Sequence, residues 1–143
     1  MTNPEPESRE QVEENYLYFV SFERLDELGR SALVLVADRR GPSFPSREKP
    51  DHELTNVQVL VDEIAKHYTE DEGFIRTDMP IQEIVFRILL TRRNQPTPLR
   101  DLHYELTERW ATPVRPINIS ELGLSRILDA DTHYGFARMS TDS

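Results

Sequence analysis

Three segments in the second half of the chain carry apolar residues at helical spacing, and each follows a helix-start signal. Pro80 suits the first turn of the first helix, and Thr97 is expected to cap a second helix. Asn118 and Glu121 form a capping-box pattern before the third. The three apolar sets are Ile81, Ile84, Val85, Ile88 and Leu89; Leu99, Leu102, Leu106 and Trp110; and Leu122, Leu124, Ile127 and Leu128.

A further helix is predicted upstream, where Thr55 and Gln58 form another capping-box pattern and Leu54 can pack against Val59. Behind this start one face stays apolar through Val57, Leu60, Val61, Ile64 and Tyr68.

Residues 16–40 fit two interpretations. The apolar side chains fall near helical spacing, and two arginines followed by Gly41 are typical of a helix end, so we favour a helix. The run ALVLVA is also continuous enough to be a buried strand, and YLYFVSF could pair with it. The apolar surface of residues 16–36 also predicts a homodimer, because two short helices would leave much of it exposed.

The excess of acidic charge lies in the first half of the chain. The net charge is −9, with 9 basic and 18 acidic side chains in residues 1–78 and 8 of each in residues 79–143. Residues 1–14 contain two prolines and five glutamates against one arginine, which predicts a disordered acidic arm. Nucleic acid repels such a protein unless its positive charge is gathered on one face.

The composition gives little support for an enzyme, a cofactor or a membrane protein. The chain has no cysteine for a thiolate metal site, and its glycines are isolated, so no phosphate-binding loop is predicted. The four histidines are scattered without ligand spacing: His52, His67, His103 and His133. No apolar run approaches the ~20 residues of a membrane span. We therefore expect a cytoplasmic protein that is not an enzyme, has no cofactor and does not enter a membrane.

The stretch SRILDADTHYGFARM, residues 125–139, turns from a helical pattern into an aromatic strand pattern at Asp129–Thr132, where turn chemistry is expected of Asp129 and Asp131 rather than acid/base or metal chemistry with His133. Together with NQPTPLRDLHYEL, it gives residues 79–139 the order helix, link, helix, turn, helix, strand, which resembles winged-helix domains. The resemblance implies a mainly α-helical fold with a short β wing. The patterns upstream predict a helical N-terminal extension before it, over residues 15–78. Only a tail of residues 140–143 follows, so the wing is expected to be short or to be completed by another chain.

The resemblance also implies that residues 118–129 form a recognition helix. Asn118, Glu121, Ser125 and Asp129 would line its exposed stripe, with Arg126 beside them. Further arginines could form a phosphate-facing rim or be paired with Asp101, Glu105 and Glu108; they are Arg92, Arg93, Arg100, Arg109, Arg115 and Arg138. The predicted DNA-binding residues are Arg126, Arg138, Arg115, Arg92, Arg93, Asn118 and Ser125.

Two functions remain open at this point. The arginine rim favours a transcriptional regulator that binds double-stranded DNA, the commonest role of winged helices, while the acidic stripe favours a protein–protein interaction adaptor. A continuous positive face around five arginines would favour DNA, whereas the same arginines dispersed among carboxylates would favour a protein partner. The five are Arg92, Arg93, Arg115, Arg126 and Arg138.

Overall fold

The computed structural model describes residues 16–50 and 54–140. It contains strands β1 Tyr16–Val20, β2 Thr97–Pro98 and β3 Phe136–Ser140, and helices α1 Phe22–Glu27, α2 Ala32–Ala37, α3 Val57–His67, α4 Ile81–Thr91, α5 Leu99–Tyr104 and α6 Glu121–Ala130. Helix α5 continues as a π-helical segment, Glu105–Trp110, and short 3-10 turns lie at Pro45–Glu48 and Tyr68–Glu70. The described residues are thus mainly α-helical with one small sheet. The predicted acidic arm, residues 1–14, and His52 lie outside them.

The sheet joins the first and the last of the described residues. Its order is β2-β1-β3, and β1 is antiparallel to both neighbours. Tyr16 lies opposite Ser140, and Val20 lies opposite Phe136. The predicted terminal strand is therefore paired within its own chain, so the alternative in which another chain completes the wing is not required.

The helix prediction for residues 16–40 is wrong at its start and confirmed farther on. Residues Tyr16–Val20 form a strand, whereas the ALVLVA run is helix α2, capped by the Ser31 hydroxyl. The strand is apolar on both faces, so its sequence lacks the alternation that distinguishes a half-buried strand from a helix. Its pairing partners lie far away in sequence, and the local pattern could not supply them.

Two predicted caps of α3 and α6 lie one or two residues too early. Asn56, not Thr55, caps α3, since its Oδ1 accepts a hydrogen bond from Gln58 N at 3.0 Å. Ser120, not Asn118, caps α6, where its Oγ accepts from Gly123 N at 2.9 Å. In both cases a competing polar residue lay nearer the helix, where its oxygen reaches the free N–H groups of the first turn. The expected contact of Leu54 with Val59 would bury little apolar surface, because Val59 is 60% exposed.

Thr97 does not cap α5, which was the third capping prediction. It lies in β2, and its hydroxyl donates to Gln95 O at 2.8 Å. Helix α5 begins at Leu99 without a side-chain cap.

Helix α4 is the centre of the core. Its fully or nearly fully buried side chains are Ile84, Val85, Phe86, Ile88, Leu89 and Leu90. Leu124 and Leu128 of α6 and Tyr18 and Val20 of β1 belong to the same buried cluster. The apolar stripe predicted for α4 therefore faces the interior. In the stripe predicted for α6, Leu124 and Leu128 are buried, whereas Leu122 and Ile127 are only partly buried. None of the described helices is both long and apolar enough to cross a membrane.

The end of α4 closes one edge of the sheet. Arg93 and Asn94 adopt left-handed backbone angles, with φ of 59° and 58°. The Oδ1 of Asn94 accepts from Val20 N at 2.7 Å, and its Nδ2 donates to Val20 O at 2.8 Å. The Asn94 side chain thus satisfies both the N–H and the C=O of Val20, at the end of β1 that the two-residue strand β2 does not reach.

Candidate functional site

Ser125 of the predicted recognition helix is buried, contrary to the expectation that it lies on an exposed stripe. It is only 4% exposed, and its Oγ lies 2.9 Å from the hydroxyl of Tyr18. The same tyrosine donates to Asp129 Oδ1 at 3.0 Å. This face of α6 therefore packs on the sheet, and Ser125 cannot read a base.

Arg138 on β3 is held against α6. Its Nη1 donates to Asp129 Oδ2 at 2.8 Å, and its guanidinium lies 4.2 Å from the ring centroid of Tyr16. Paired residues of an antiparallel sheet share a face, so Arg138 lies on the face of Tyr18, toward α6. The carboxylate neutralises the charge that was expected to contact phosphate.

Arg92 and Arg93 at the end of α4 are also paired with carboxylates. Arg92 lies 3.4 Å from Glu105 and 3.9 Å from Asp101, and Arg93 lies 3.4 Å from Asp62. The predicted alternative, an arginine rim paired with nearby acids, is confirmed for Arg92. These two arginines therefore do not offer uncompensated positive charge.

Glu105 is the hub of a small network at the start of the π-helical segment. It is 5% exposed, and both its oxygens accept from Arg109 Nη1 at 3.0 Å, as the four-residue spacing predicted. Its Oε2 also accepts from the indole N–H of Trp110 at 3.0 Å. Trp110 is partly buried against the core, consistent with its predicted position closing the second helix.

Arg115, Asn118 and Arg126 are exposed, as predicted, but they lie on different elements. Arg126 is on α6, whereas the other two lie in the connection of residues 111–120. Within the part of the chain that the structure describes, neither arginine side chain forms an ion pair. The connection turns tightly at Thr112 and Arg115, whose backbones exchange hydrogen bonds of 3.2 and 3.0 Å. It is longer than the turn of about 3–4 residues in a typical helix-turn-helix.

Glu83 is the centre of a partly buried ionic network that the sequence did not indicate. Arg39 donates to both its oxygens at 3.0 and 2.7 Å, Arg87 donates at 2.7 Å, and the Tyr134 hydroxyl donates at 2.8 Å. Burial raises the pKa of Glu83, but these hydrogen bonds outweigh burial and lower its pKa to about 2. Burial and the bond to Glu83 raise the pKa of Tyr134 to about 12. Each group has a partner, so we assign the network a structural role joining α2, α4 and the turn before β3.

Asp131 and the three histidines of the described residues, His67, His103 and His133, have structural contacts. Asp131 Oδ2 accepts from the backbone N–H groups of His133 and Tyr134 at 3.1 and 2.7 Å, which confirms the predicted turn chemistry. His103 Nε2 lies 2.6 Å from Ile119 O. In residues 16–50 and 54–140, no group of three potential metal ligands comes together.

The sheet has an apolar outer face that the sequence interpretation missed. Tyr18 and Val20 of β1 point into the core, so Leu17 and Phe19 point away from it. The register places Leu17 between Pro98 and Met139, and Phe19 beside Ala137. We call these five residues the outer sheet face: Leu17, Phe19, Pro98, Ala137 and Met139. It was missed because β1 was interpreted as a helix.

Comparisons with known proteins give no relative for this chain. It has no significant match to a protein-family model, to a curated protein or to a solved structure.

Proposed function

We propose that this chain is a protein–protein interaction adaptor whose C-terminal part has a winged-helix-like arrangement. The order α4, β2, α5, α6, β3 supports this arrangement, because a winged helix also places two helices between strands of one sheet. Two features differ from the usual pattern. The central strand comes from the N-terminal part of the chain, and the connection between α5 and α6 is long.

The observation that carries the proposal is the pairing of the arginines. Three of the five arginines expected to form a positive face, Arg92, Arg93 and Arg138, lie within ion-pair distance of carboxylates. Phosphate binding relies on uncompensated cations, and the chain as a whole has a net charge of −9. Dispersed, neutralised arginines therefore favour a protein partner over DNA.

DNA binding by a transcriptional regulator is the second candidate, supported by Arg115 and Arg126. Both are exposed, and no carboxylate of the described residues pairs with either. Arg126 lies on α6, the helix that would approach the duplex.

Fluorescence anisotropy with a random DNA duplex across a salt series separates the two candidates. An adaptor is expected to show no salt-dependent binding, even at a low salt concentration of about 50 mM. A DNA-binding protein would bind, and Arg126→Ala would lower the salt slope by about one unit. Arg76→Ala is the matched control, because Arg76 is exposed and pairs with Asp78 outside the predicted winged helix. Salt-dependent binding that Arg126→Ala weakens and Arg76→Ala leaves unchanged would overturn the adaptor proposal.

A homodimer through residues 16–36 has less support than it had from the sequence. Many of the apolar side chains in this stretch are buried in the core of their own chain: Tyr18, Val20, Leu25, Leu35 and Val36. On β1, only the side chains of the outer sheet face remain available to a partner.

A further inference from the structure

A small cavity lies between the 3-10 turn Pro45–Glu48 and the start of α3. Its volume of about 290 Å³ is just below the ~300–1,000 Å³ range typical of sites for drug-sized ligands, so it suits a smaller molecule. The residues that line it carry one carboxylate, one ammonium group, uncharged polar groups and several aliphatic side chains. Apolar walls with a few placed polar groups are typical of a site for a small polar molecule.

Glu63 on α3 is the anionic side of the cavity. Its Oε1 accepts a hydrogen bond from the Ser46 hydroxyl at 2.6 Å, and its Oε2 accepts from the Ser46 backbone N–H at 3.0 Å. Arg40 is one residue farther away, since its Nη1 donates to Ser46 at 3.0 and 3.1 Å rather than to Glu63. None of the described residues forms an ion pair with Glu63. A half-buried carboxylate that is fixed in position, with lone pairs to spare, favours a ligand that carries a cation.

Hydrogen-bond donors without a partner form the other polar part of the cavity. They belong to Lys49, just after the 3-10 turn, and to Thr55 and Asn56, just before α3. The Oδ1 of Asn56 is occupied in capping α3, which leaves its Nδ2 as a donor. In the described part of the chain, none of these three side-chain donors forms a hydrogen bond, and Lys49 is not paired with Glu63. Three donors, one of them charged, favour a carboxylate on the ligand.

Aliphatic side chains form the remaining wall of the cavity. Leu54, Val59 and Leu60 belong to it, with Pro45 on the 3-10 turn. Leu60 is buried in the core, whereas Val59 is 60% exposed although it lies in the first turn of α3. An aliphatic group on the ligand would remove this apolar surface from water.

We propose that this cavity binds a free α-amino acid with an aliphatic side chain. The ammonium group pairs with Glu63, the carboxylate accepts from Lys49 and the two donors before α3, and the side chain packs on Val59. A zwitterion satisfies both charges of the cavity at once, whereas a simple amine leaves Lys49 facing a cation and a simple carboxylate leaves Glu63 facing an anion. This inference goes beyond the adaptor proposal and does not depend on it, because no residue that lines the cavity belongs to residues 79–139.

The test is an NMR titration of the ¹⁵N-labelled full chain with three probes that share one aliphatic group. L-Leucine carries both charges, isocaproate lacks the ammonium group, and isopentylamine lacks the carboxylate. We expect leucine to give saturable shifts of the Lys49, Thr55 and Val59 amides, with a dissociation constant of about 1 mM or below. Each analogue should bind at least about tenfold more weakly, because it loses charge-assisted hydrogen bonds and leaves one charge of the cavity unpaired.

Variants that remove one charge separate the two contacts. In Lys49→Gln, leucine should bind no better than isopentylamine, and in Glu63→Gln it should bind no better than isocaproate. Lys49 is exposed, so Lys49→Gln is expected to retain the fold, with circular dichroism as the check. Lys66→Gln and Glu72→Gln are the matched controls, because both residues are exposed and neither lines the cavity. Both controls should bind leucine as the wild type does.

Equal binding of the three probes, shifts confined to other surfaces, or no saturable binding of leucine up to about 10 mM would overturn the amino-acid proposal. So would binding of isopentylamine to Lys49→Gln when no probe binds the wild type, because Lys49 would then itself be the partner of Glu63.

Discussion

The hydroxyl of Tyr18 on β1 lies 2.9 Å from Oγ of Ser125 on α6, and both side chains are almost completely buried. These residues are 107 positions apart in the sequence. Their contact fixes the first strand of the described chain to the last helix, and Asp129 extends it to Arg138 on β3. The helix predicted to face DNA is thereby anchored to the sheet by polar groups.

Removing the Tyr18 hydroxyl should cost more than removing that of Ser125. Tyr18→Phe leaves Ser125 Oγ buried without its tyrosine partner and should lower the free energy of unfolding by about 1–3 kcal/mol. Ser125→Ala leaves Tyr18 still bonded to Asp129 and should cost about 1 kcal/mol or less. In the double variant both buried hydroxyls are gone and neither is left without its partner. Its loss of unfolding free energy should therefore be smaller than the sum of the losses in the two single variants. Urea unfolding of the four proteins measures this coupling, and strictly additive losses would contradict it.

The Glu83 network predicts an acid-sensitive stability. Burial raises the pKa of Glu83, but hydrogen bonds from Arg39, Arg87 and Tyr134 bring it down to about 2, from an ordinary 4.5. A lowered folded-state pKa means that this stabilisation is fully present above about pH 4.5 and is lost as the pH falls through about 2. The shift corresponds to about 3 kcal/mol.

Urea unfolding of the wild type and Glu83→Gln at several pH values measures that contribution. The variant should be less stable near neutral pH, because two arginines lose their carboxylate partner in a partly buried site. The difference in the free energy of unfolding between the wild type and Glu83→Gln should shrink by about 3 kcal/mol as the pH falls from about 5 to about 2. Glu108→Gln, at an exposed position, is the control and should differ little from the wild type throughout. A Glu83→Gln difference that stays constant with pH would contradict this account.

Gly135, just before β3, should tolerate no side chain. Its φ is +77°, and an added Cβ would lie 2.6 Å from Leu25 Cγ and 3.0 Å from Ser21 O. Gly135→Ala should therefore lower the free energy of unfolding by about 3 kcal/mol or more, from backbone strain and overpacking together. Gly29 has a similar φ of +73° but no atom within 4 Å of an added Cβ, so Gly29→Ala should cost only about 1–2 kcal/mol. Thermal or urea unfolding compares the two, and equal losses would show that the close contact does not matter.

The sequence by itself determined the helices whose apolar stripe repeats over several turns. The helix after Pro80 and the stripe of Leu124 and Leu128 were predicted and are found in α4 and α6. The turn at Asp131 was also predicted, because a short carboxylate side chain can accept hydrogen bonds from the backbone just after it. These features depend on residues a few positions apart, which the local pattern contains in full.

Tertiary structure decided that β1 is a strand and which of the candidate DNA-binding residues are buried or paired. Residues Tyr16–Val20 became a strand because β2 and β3, far along the chain, supply the hydrogen-bond partners. Ser125 is a core residue because Tyr18 contacts it from that strand. Arg138 is not an unpaired cation because it forms an ion pair with Asp129. Strand pairing, burial of a hydroxyl and neutralisation of a charge all depend on which distant residue lies opposite, and the local sequence pattern does not contain that information.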